Sequence, residues 1–379
     1  MEQGAKIKLG FVGGGPNSFI GHMHQAAASM HDQFELVGGV FGRDFDSGIA
    51  HARKLQLAQD RVYGSVESLI DGESRLPTSE RMTAVAVLTP NSLHFEIARS
   101  LLMAGFHVIC EKPMTTNLPD ALSLEALVHE TGQVFCVTHT YTGYPMVRQM
   151  RELIAQGLIG EIQHVEAKYL QGWIAPVLKD AQKRDQTWRL NPETSGSSCC
   201  FGDIGIHAFN LVEYTTGLQI DQLLADLHAR DESNQLDVDG TALFRTTSGA
   251  RGLIRASQIA TGEENNLTIS VYGDRGALKW AQENPAELIH LPEDQPQQIY
   301  KAGNPYLEGL ASASSMLPPG HPEGLYLAMA NIYAGAAAAM KGDGAMGGCF
   351  PTINDGVRGV RFVKASLESN NQGQKWVHL

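Results

Sequence analysis

Basic residues are in short supply. Against 41 Asp and Glu the chain sets only 29 Lys and Arg, a formal charge of −12. Such a chain has no broad cationic face with which to displace the counterions of a nucleic acid, so a general nucleic-acid binder is excluded. An anionic small molecule is not, because helix N-termini and a few local cations hold phosphates even on acidic proteins. Cysteines are few and odd in number: Cys110, Cys136, Cys199, Cys200 and Cys349. No pair has zinc-ligand spacing. Adjacent Cys199 and Cys200 read as small thiols in a reducing compartment rather than as a redox pair. Long apolar runs are missing as well. Stretches such as Ala84 to Leu88 are strand-sized, far short of the roughly 20 residues a membrane helix needs. Met1 to Gly10 contains no apolar core of signal-peptide length, so the expectation is a cytoplasmic protein without a membrane partner. Internal repeats and runs of like charge are also absent.

What is present is an ordinary globular composition, 43% hydrophobic and 18% charged, with 40 glycines in 379 residues. At roughly 150 residues per domain this length favours two domains. The first third alternates strand and helix signals. Ile7 to Val12, Phe34 to Phe41, Thr83 to Leu88, His107 to Cys110 and Val134 to Val137 read as strands. Asn17 to Met30, Phe45 to Leu57, the segment after Ser92 and Leu118 to Glu130 read as helices, with Asn17 or Ser18 capping the first. That alternation predicts a doubly wound parallel sheet, an α/β domain over residues 1–138. From about His139 onward strands follow one another without helices between them, which predicts a mostly antiparallel sheet in an α+β domain over 139–379. Its helices are Met146 to Gln156, Asp203 to Thr216 stopped by Gly217, Gly324 to Met340 and Asn354 to Glu368. Residues 291–324, rich in Pro, Gly, Ser and Gln, read either as a surface loop or as a flap over an active site.

Strand, then Gly13-Gly14-Gly15, then helix is the front of a dinucleotide-binding unit. Gly13 permits the tight turn, Gly15 lets the backbone approach a pyrophosphate, and the first helical residues, Phe19 and Ile20, belong to the end whose free N–H groups and dipole face that anion. In G-x-G-x-x-G the third glycine falls at position 18, which is Ser18; Gly21 follows three residues later. The second strand ends in Phe41-Gly42-Arg43-Asp44. An acid there binds the ribose 2′-hydroxyl of NAD, whereas Arg43 suits a 2′-phosphate or stacks on adenine, so the cofactor is NAD or NADP.

Glu111-Lys112-Pro113 lies at the carboxyl edge of the parallel sheet, where such folds bind ligands. Asp203 and His207, four apart on an expected helix, project from one face. A carboxylate so placed orients an imidazole or holds a substrate hydroxyl.

With these residues in order, the chain resembles the Gfo/Idh/MocA oxidoreductases. The resemblance rests on Gly13 to Gly15, Thr89-Pro90-Asn91-Ser92-Leu93-His94, Glu111-Lys112-Pro113 and Gly202-Asp203-Ile204-Gly205-Ile206-His207, and it covers nearly the whole chain. Trp188-Arg189-Leu190-Asn191-Pro192, and Gly320-His321-Pro322-Glu323-Gly324 with Asn331, are similar to a sugar-oxidising branch that includes levoglucosan dehydrogenase. The resemblance implies a Rossmann domain and a C-terminal domain with a large open sheet that forms the interface of a homodimer or homotetramer. It implies that Thr89, Pro90, Asn91, His94, Glu111 and Lys112 touch the cofactor, and that Lys112, Asp203 and His207 are catalytic. Tyr141, Tyr144, Trp173, Trp188, Arg189, His321 and Asn331 are candidate contacts for a sugar, inositol or other polyol. Two departures stand out: Ser18 in place of glycine, and Ser198-Cys199-Cys200 where relatives carry glycines, which alters the pocket or closes a subsite.

The expected chemistry is hydride exchange with a ring secondary alcohol. An imidazole with a pKa of roughly 6.5 suits His207 to general-base work at neutral pH. Lys112 would hold the reacting oxygen, its own pKa lowered beside an oxidised nicotinamide. Two rivals share the cofactor signal: a non-catalytic dinucleotide-sensing regulator, which has no need of the catalytic trio, and a recycling lyase or hydrolase that oxidises its substrate only transiently.

Overall fold

Five short runs of Val, Ile, Ala, Leu and Phe build the first sheet. In the computed structural model, which describes residues 5–229, 235–343 and 349–379, they are β1 (Ile7–Gly13), β2 (Phe34–Val40), β3 (Ala84–Leu88), β4 (His107–Cys110) and β5 (Phe135–Val137). All four pairings are parallel, in the order β2-β1-β3-β4-β5. β3 is buried along its whole length, as a central strand covered on both faces must be. From β1 the chain steps to β2 on one side and to β3 on the other, so a crevice opens beyond the carboxyl ends of β1 and β3.

By internal contacts the chain divides into two units. The first takes the described residues within Met1–Thr115, Pro119–Thr140 and Tyr326–Val357; the second takes those within Thr116–Leu118, Tyr141–Leu325 and Arg358–Leu379. The sequence boundary at 138/139 therefore assigns the late segment 326–357 differently from the fold. The helix Leu325–Met340 is mostly Ala, Leu, Met and Ile and is buried nearly all round. A helix apolar on every side has no solvent face and needs cover from several directions. Within the first unit it also donates a polar anchor: the Tyr333 hydroxyl bonds His24 Nδ1 at 2.6 Å.

The second unit carries nine strands: β6 (Ile162–Leu170), β7 (Ile220–His228), β8 (Asp239–Thr246), β9 (Arg251–Ser257), β10 (Asn266–Gly273), β11 (Gly276–Ala281), β12 (Glu287–Pro292), β13 (Gln298–Lys301) and β14 (Val377–His378). Their order is β13-β12-β11-β10-β6-β9-β8-β7-β14. Every pairing is antiparallel except β6 with β9. Period-two alternation sends Val165, Ala167, Phe244, Ile254, Ile269 and Val271 to a buried face, while Lys168, Leu243 and Arg255 lie on the other. Helices Pro145–Ala155, started by Pro at its first position, and Ile206–Thr216, stopped by left-handed Gly217, cover the buried face. The stretch 291–324 is no bare loop. It holds the end of β12, all of β13 and a helical turn, Gly309–Ala313, whose Leu310 N–H is taken by Glu152.

Candidate active site

In the first unit, the turn after β1 is shaped by its glycines. Gly13 (φ 91°) and Gly14 (φ 68°) have left-handed backbone, and a Cβ on Gly13 would stand 2.5 Å from the Leu88 carbonyl oxygen. A Cβ on Gly15 would meet the Phe41 carbonyl oxygen at 2.3 Å. The expected role of Gly15, room for a pyrophosphate, is thus joined by a packing demand from the chain itself. Ser18 caps the helix Phe19–Met30, its hydroxyl accepting from Gly21 N–H at 3.0 Å. The close-packing task of a third glycine passes to Gly21, where a Cβ would sit 2.5 Å from the Gly14 carbonyl oxygen. The departure at Ser18 therefore leaves the turn intact.

Beyond the turn lies a cavity of about 680 Å³, lined among others by Gly15, Ser18, Arg43, Asp44, Thr89 and Pro90. It sits at the strand ends where the sheet order reverses, beside a helix N-terminus. Volume, glycine cradle and helix end fit the adenosine and phosphates of a dinucleotide. Asp44 begins the helix Phe45–Lys54 without spending its carboxylate on a capping bond. Phe19 is largely exposed and Ile20 partly so.

Glu111 follows β4. One carboxylate oxygen accepts from His24 Nε2 at 3.0 Å and from the Thr138 hydroxyl. Burial pushes this carboxyl up, but the bond and charge interaction with His24, the Lys112 ammonium and the Thr138 hydroxyl outweigh it and hold it below the usual carboxylate range. His94 was expected to face the cofactor. It is fully buried, with Nδ1 at 2.8 Å from the Pro113 carbonyl and Nε2 at 2.8 Å from that of Thr89. A neutral imidazole carries one N–H, so His94 donates to one of these carbonyls and rests its other nitrogen against the second, packed behind the Thr89 and Pro113 loops. His139, also fully buried, has its pKa pushed down to about 3, by burial first and by the Lys112 charge second.

In the second unit, Asp203 and His207 lie on one continuous helical stretch that opens with a π turn, Phe201–Gly205, before Ile206–Thr216. The Ile206 N–H reaches back five residues to the Phe201 carbonyl. Spacing by four across a π turn is not the spacing of a plain α-helix, so the simple one-face expectation is corrected by one wide turn; such turns recur at functional sites. Asp203 Oδ2 accepts from Gln258 Nε2 at 2.8 Å and pairs with Arg189 Nε at 3.2 Å. The Arg189 guanidinium lies 4.5 Å from the ring centre of Trp188 and 6.0 Å from that of Trp173, both indoles partly exposed. The Tyr141 ring meets His207 edge-on at 4.9 Å, and its hydroxyl bonds Tyr169, which donates to Asn265. Gln171 donates to the same Asn265 oxygen and accepts from Trp173.

The remaining candidates divide between the two units. Tyr144, in the second unit, is buried, stacked on Tyr141 and tilted against Trp280, with burial raising its phenol. Asn331 belongs to the first unit, buried, its side-chain oxygen 2.9 Å from His31 Nε2. His321 lies exposed in the 291–324 stretch with Nδ1 against the Pro318 carbonyl. Ser198-Cys199-Cys200 forms the lead-in to the π turn: the Ser198 hydroxyl accepts from Gly202 N–H, and Cys199 donates to Gln258. All five cysteines are buried thiols. Asp237, Gln258, His24 and Tyr333 escaped the sequence reading. For Asp237 a signal existed, an acid flanked by the buried Leu236 and Val238 at the mouth of a strand.

Comparison with known proteins bears on both units. The model described as "Oxidoreductase family, NAD-binding Rossmann fold" (GFO_IDH_MocA) matches residues 7–139, and the GFO/IDH/MocA C-terminal domain matches residues 147–279. The chain is 30% identical to an uncharacterized oxidoreductase, YfiI, of Bacillus subtilis (strain 168), over 98% of this chain and 97% of that protein. It is 27% identical to levoglucosan dehydrogenase of Pseudarthrobacter phenanthrenivorans, over 80% and 83%. Among solved structures, an inositol dehydrogenase homolog from Azotobacter vinelandii complexed with NAD+ superposes with a TM-score of 0.94 at 34% identity, covering 100% of this chain and 98% of that one. The same homolog with NADH and myo-inositol gives 0.92.

Proposed function

From the premise that this chain belongs to the Gfo/Idh/MocA oxidoreductase family, we propose that it transfers a hydride between C4 of a bound nicotinamide and a secondary alcohol carbon of a cyclic polyol or sugar. The observation that carries the substrate class is the Asp203 cluster. A carboxylate held by Gln258 and Arg189, beside the partly exposed faces of Trp173 and Trp188, offers hydroxyl acceptors, hydroxyl donors and flat apolar surface together. Ring polyols present that mixture, with C–H groups on their faces and hydroxyls at their edges. Myo-inositol in the Azotobacter homolog and the name of levoglucosan dehydrogenase support the same class.

The cofactor we assign is NAD. The glycine turn, Thr89 and Pro90 line the cavity that would hold it, and the carboxylate of Asp44 suits ribose hydroxyls and opposes a 2′-phosphate. Arg43 at the same rim then serves adenine. Glu111, fixed by His24 and Thr138, holds the loop that presents Lys112.

The division of labour is as follows. His207 takes the alcohol proton. The Lys112 ammonium donates to the reacting oxygen and stabilises the negative charge that grows there. Asp203 accepts from a neighbouring hydroxyl and fixes which ring carbon is presented. Arg189 and Gln258 keep that carboxylate aimed. The protein works in the cytoplasm as a homodimer or homotetramer, and the outward sheet face with Leu243, Arg245 and Arg255 is the surface we assign to that contact.

The test begins with calorimetric titration of NAD, NADP and their reduced forms. Cyclic polyols and sugars are then scanned for absorbance change with the tighter-binding cofactor. We expect NAD to bind the tighter, net NADH to accumulate, and His207→Ala to lower kcat by about 100-fold or more. Product without net NADH would point to a recycling lyase or hydrolase; binding without any turnover would point to a sensor. Unchanged turnover in His207→Ala would remove the base from His207.

A further inference from the structure

A carboxylate that the reaction does not use stands behind the turn that carries Asp203. Asp237 is fully buried, just ahead of β8. Its Oδ1 accepts from Cys199 N–H at 3.1 Å and its Oδ2 from Phe201 N–H at 2.7 Å, while its backbone carbonyl accepts from Cys200 N–H at 2.9 Å. Three consecutive amides are thus gathered by one residue. They are the amides that a helix beginning at Cys200 leaves without internal partners. The Ser198 hydroxyl also bonds this carboxylate, and accepts in turn from Gly202 N–H at 2.9 Å.

The neighbouring strand end completes the frame. The buried Gln258, just past β9, bonds Asp203 through Nε2 and accepts from Cys199 Sγ at 3.4 Å through Oε1. Its own N–H is taken by the Val238 carbonyl at 2.8 Å. Residues 237–239 and 257–258 therefore form one rigid edge, and the π turn hangs from it by side-chain and backbone bonds.

We propose that Asp237 is a positioning residue of the reaction: by capping the amides of Cys199 and Phe201 it fixes the π turn, and with it the aim of Asp203 and His207. The inference rests on the roles proposed above for those two residues. A buried carboxylate is costly unless several donors meet it. Here burial raises its pKa against the Phe201, Ser198 and Cys199 bonds. A carboxyl kept at that cost and bonded to the amides of the turn is explained by what the turn presents. The π turn adds its own reason. One residue more than an α-helix holds must be accommodated at its start, and an unpinned start would relax to regular α geometry, swinging Asp203 away from the direction of Gln258.

The test compares wild type, Asp237→Asn and Asp237→Ala as the full-length chain. Asn keeps one acceptor oxygen and the shape, so it serves as the partial rescue. The cofactor site lies in the first unit, so NAD dissociation constants should stay within about twofold, which certifies folding of that unit, while circular dichroism at wild-type amplitude certifies folding of the second. Misaiming by about an ångström lowers rate by on the order of 100-fold. We expect that fall in kcat for Asp237→Ala and about tenfold for Asp237→Asn, with KM moved less than kcat. The primary deuterium isotope effect on kcat/KM should rise in both as hydride transfer becomes limiting. A second readout needs no turnover: the imidazole Cε1–H resonance of His207, assigned with His207→Gln, should shift in Asp237→Asn while that of His94 stays in place. Variants that bind NAD normally yet keep kcat, isotope effect and the His207 resonance at wild-type values would overturn the positioning role. If Asp237→Ala fails to fold, Asp237→Asn decides alone. If wild type turns over no polyol, the catalytic reading fails, and an unmoved His207 resonance would then sink the positional claim separately.

Discussion

At the scale of single residues, the first unit is pinned by a buried ion pair. Glu73 has no exposed side-chain surface and receives four bonds: Arg61 Nε and Nη2 at 2.8 Å each, the Tyr63 hydroxyl at 2.7 Å and the Met82 N–H at 2.8 Å. The Tyr63 phenol is raised well above its ordinary pKa, by burial first and by its bond to Glu73 second. Glu73→Ala strands a guanidinium, a phenol and an amide at once. Breaking a buried pair from one side costs about 3–5 kcal/mol, and we expect that loss in urea unfolding of the first unit. Arg61→Ala should cost less, because Glu73 keeps Tyr63 and Met82. A loss below about 1 kcal/mol for Glu73→Ala would mean that water replaces the Glu73 carboxylate at no penalty, and the cluster would not be what holds the end of the helix Val66–Ser74.

At the scale of elements, the glycine turn shows one task shared between two positions. Ser18 caps the helix and Gly21 lets it pack on Gly14. Ser18→Ala should therefore cost about 1 kcal/mol and Ser18→Gly only a few tenths, whereas Gly21→Ala drives a methyl into a backbone carbonyl and should abolish NAD binding. Cap variants ranked the other way would show that Ser18 serves a ligand rather than the helix. This turn also measures what a sequence yields. The five parallel strands, the Ser18 cap, Gly217 and the position of Asp203 and His207 on one helical stretch were legible, because each rests on local periodicity or on a local backbone demand. The helix Val66–Ser74 was missed although Ser65 and Ser68 form a capping box around its start. Its ten-residue neighbourhood is too polar for periodicity to register. The π turn, the burial of His94, and the joining of Asp237 and Gln258 to Asp203 were illegible for another reason. They depend on pairing across strands that lie far apart in the chain, and spacing along one helix carries no trace of that. Residues 291–324 read as a surface loop or a flap because their Pro and Gly mask β13, an edge strand held on one side only.

At the scale of the whole molecule, burial of histidines sets the acid limit of stability. His139, His94, His107 and His51 all have pKa values lowered by burial, His139 to about 3. Unfolded, each would take a proton near pH 6.5. Below that pH the unfolded chain binds more protons than the native one, so stability falls as the pH falls, and each fully buried neutral histidine contributes about 1.4 kcal/mol per pH unit until its native pKa is reached. Glu111, lowered below the ordinary carboxylate value, acts in a different window: its stabilisation is present above about pH 4.5 and is lost only as pH falls through its native pKa. Between pH 7.5 and 5.0 the histidines therefore dominate. From pH 6.5 to 5.0, His139 alone accounts for about 2 kcal/mol. His139→Gln, with no proton to take up, should shrink the difference in unfolding free energy between pH 7.5 and pH 5.0 by that amount, whatever it does to stability at pH 7.5. Urea titrations at the two pH values measure it. An undiminished difference in the variant would mean that the native fold admits the proton on His139 beside Lys112 although the ring is buried.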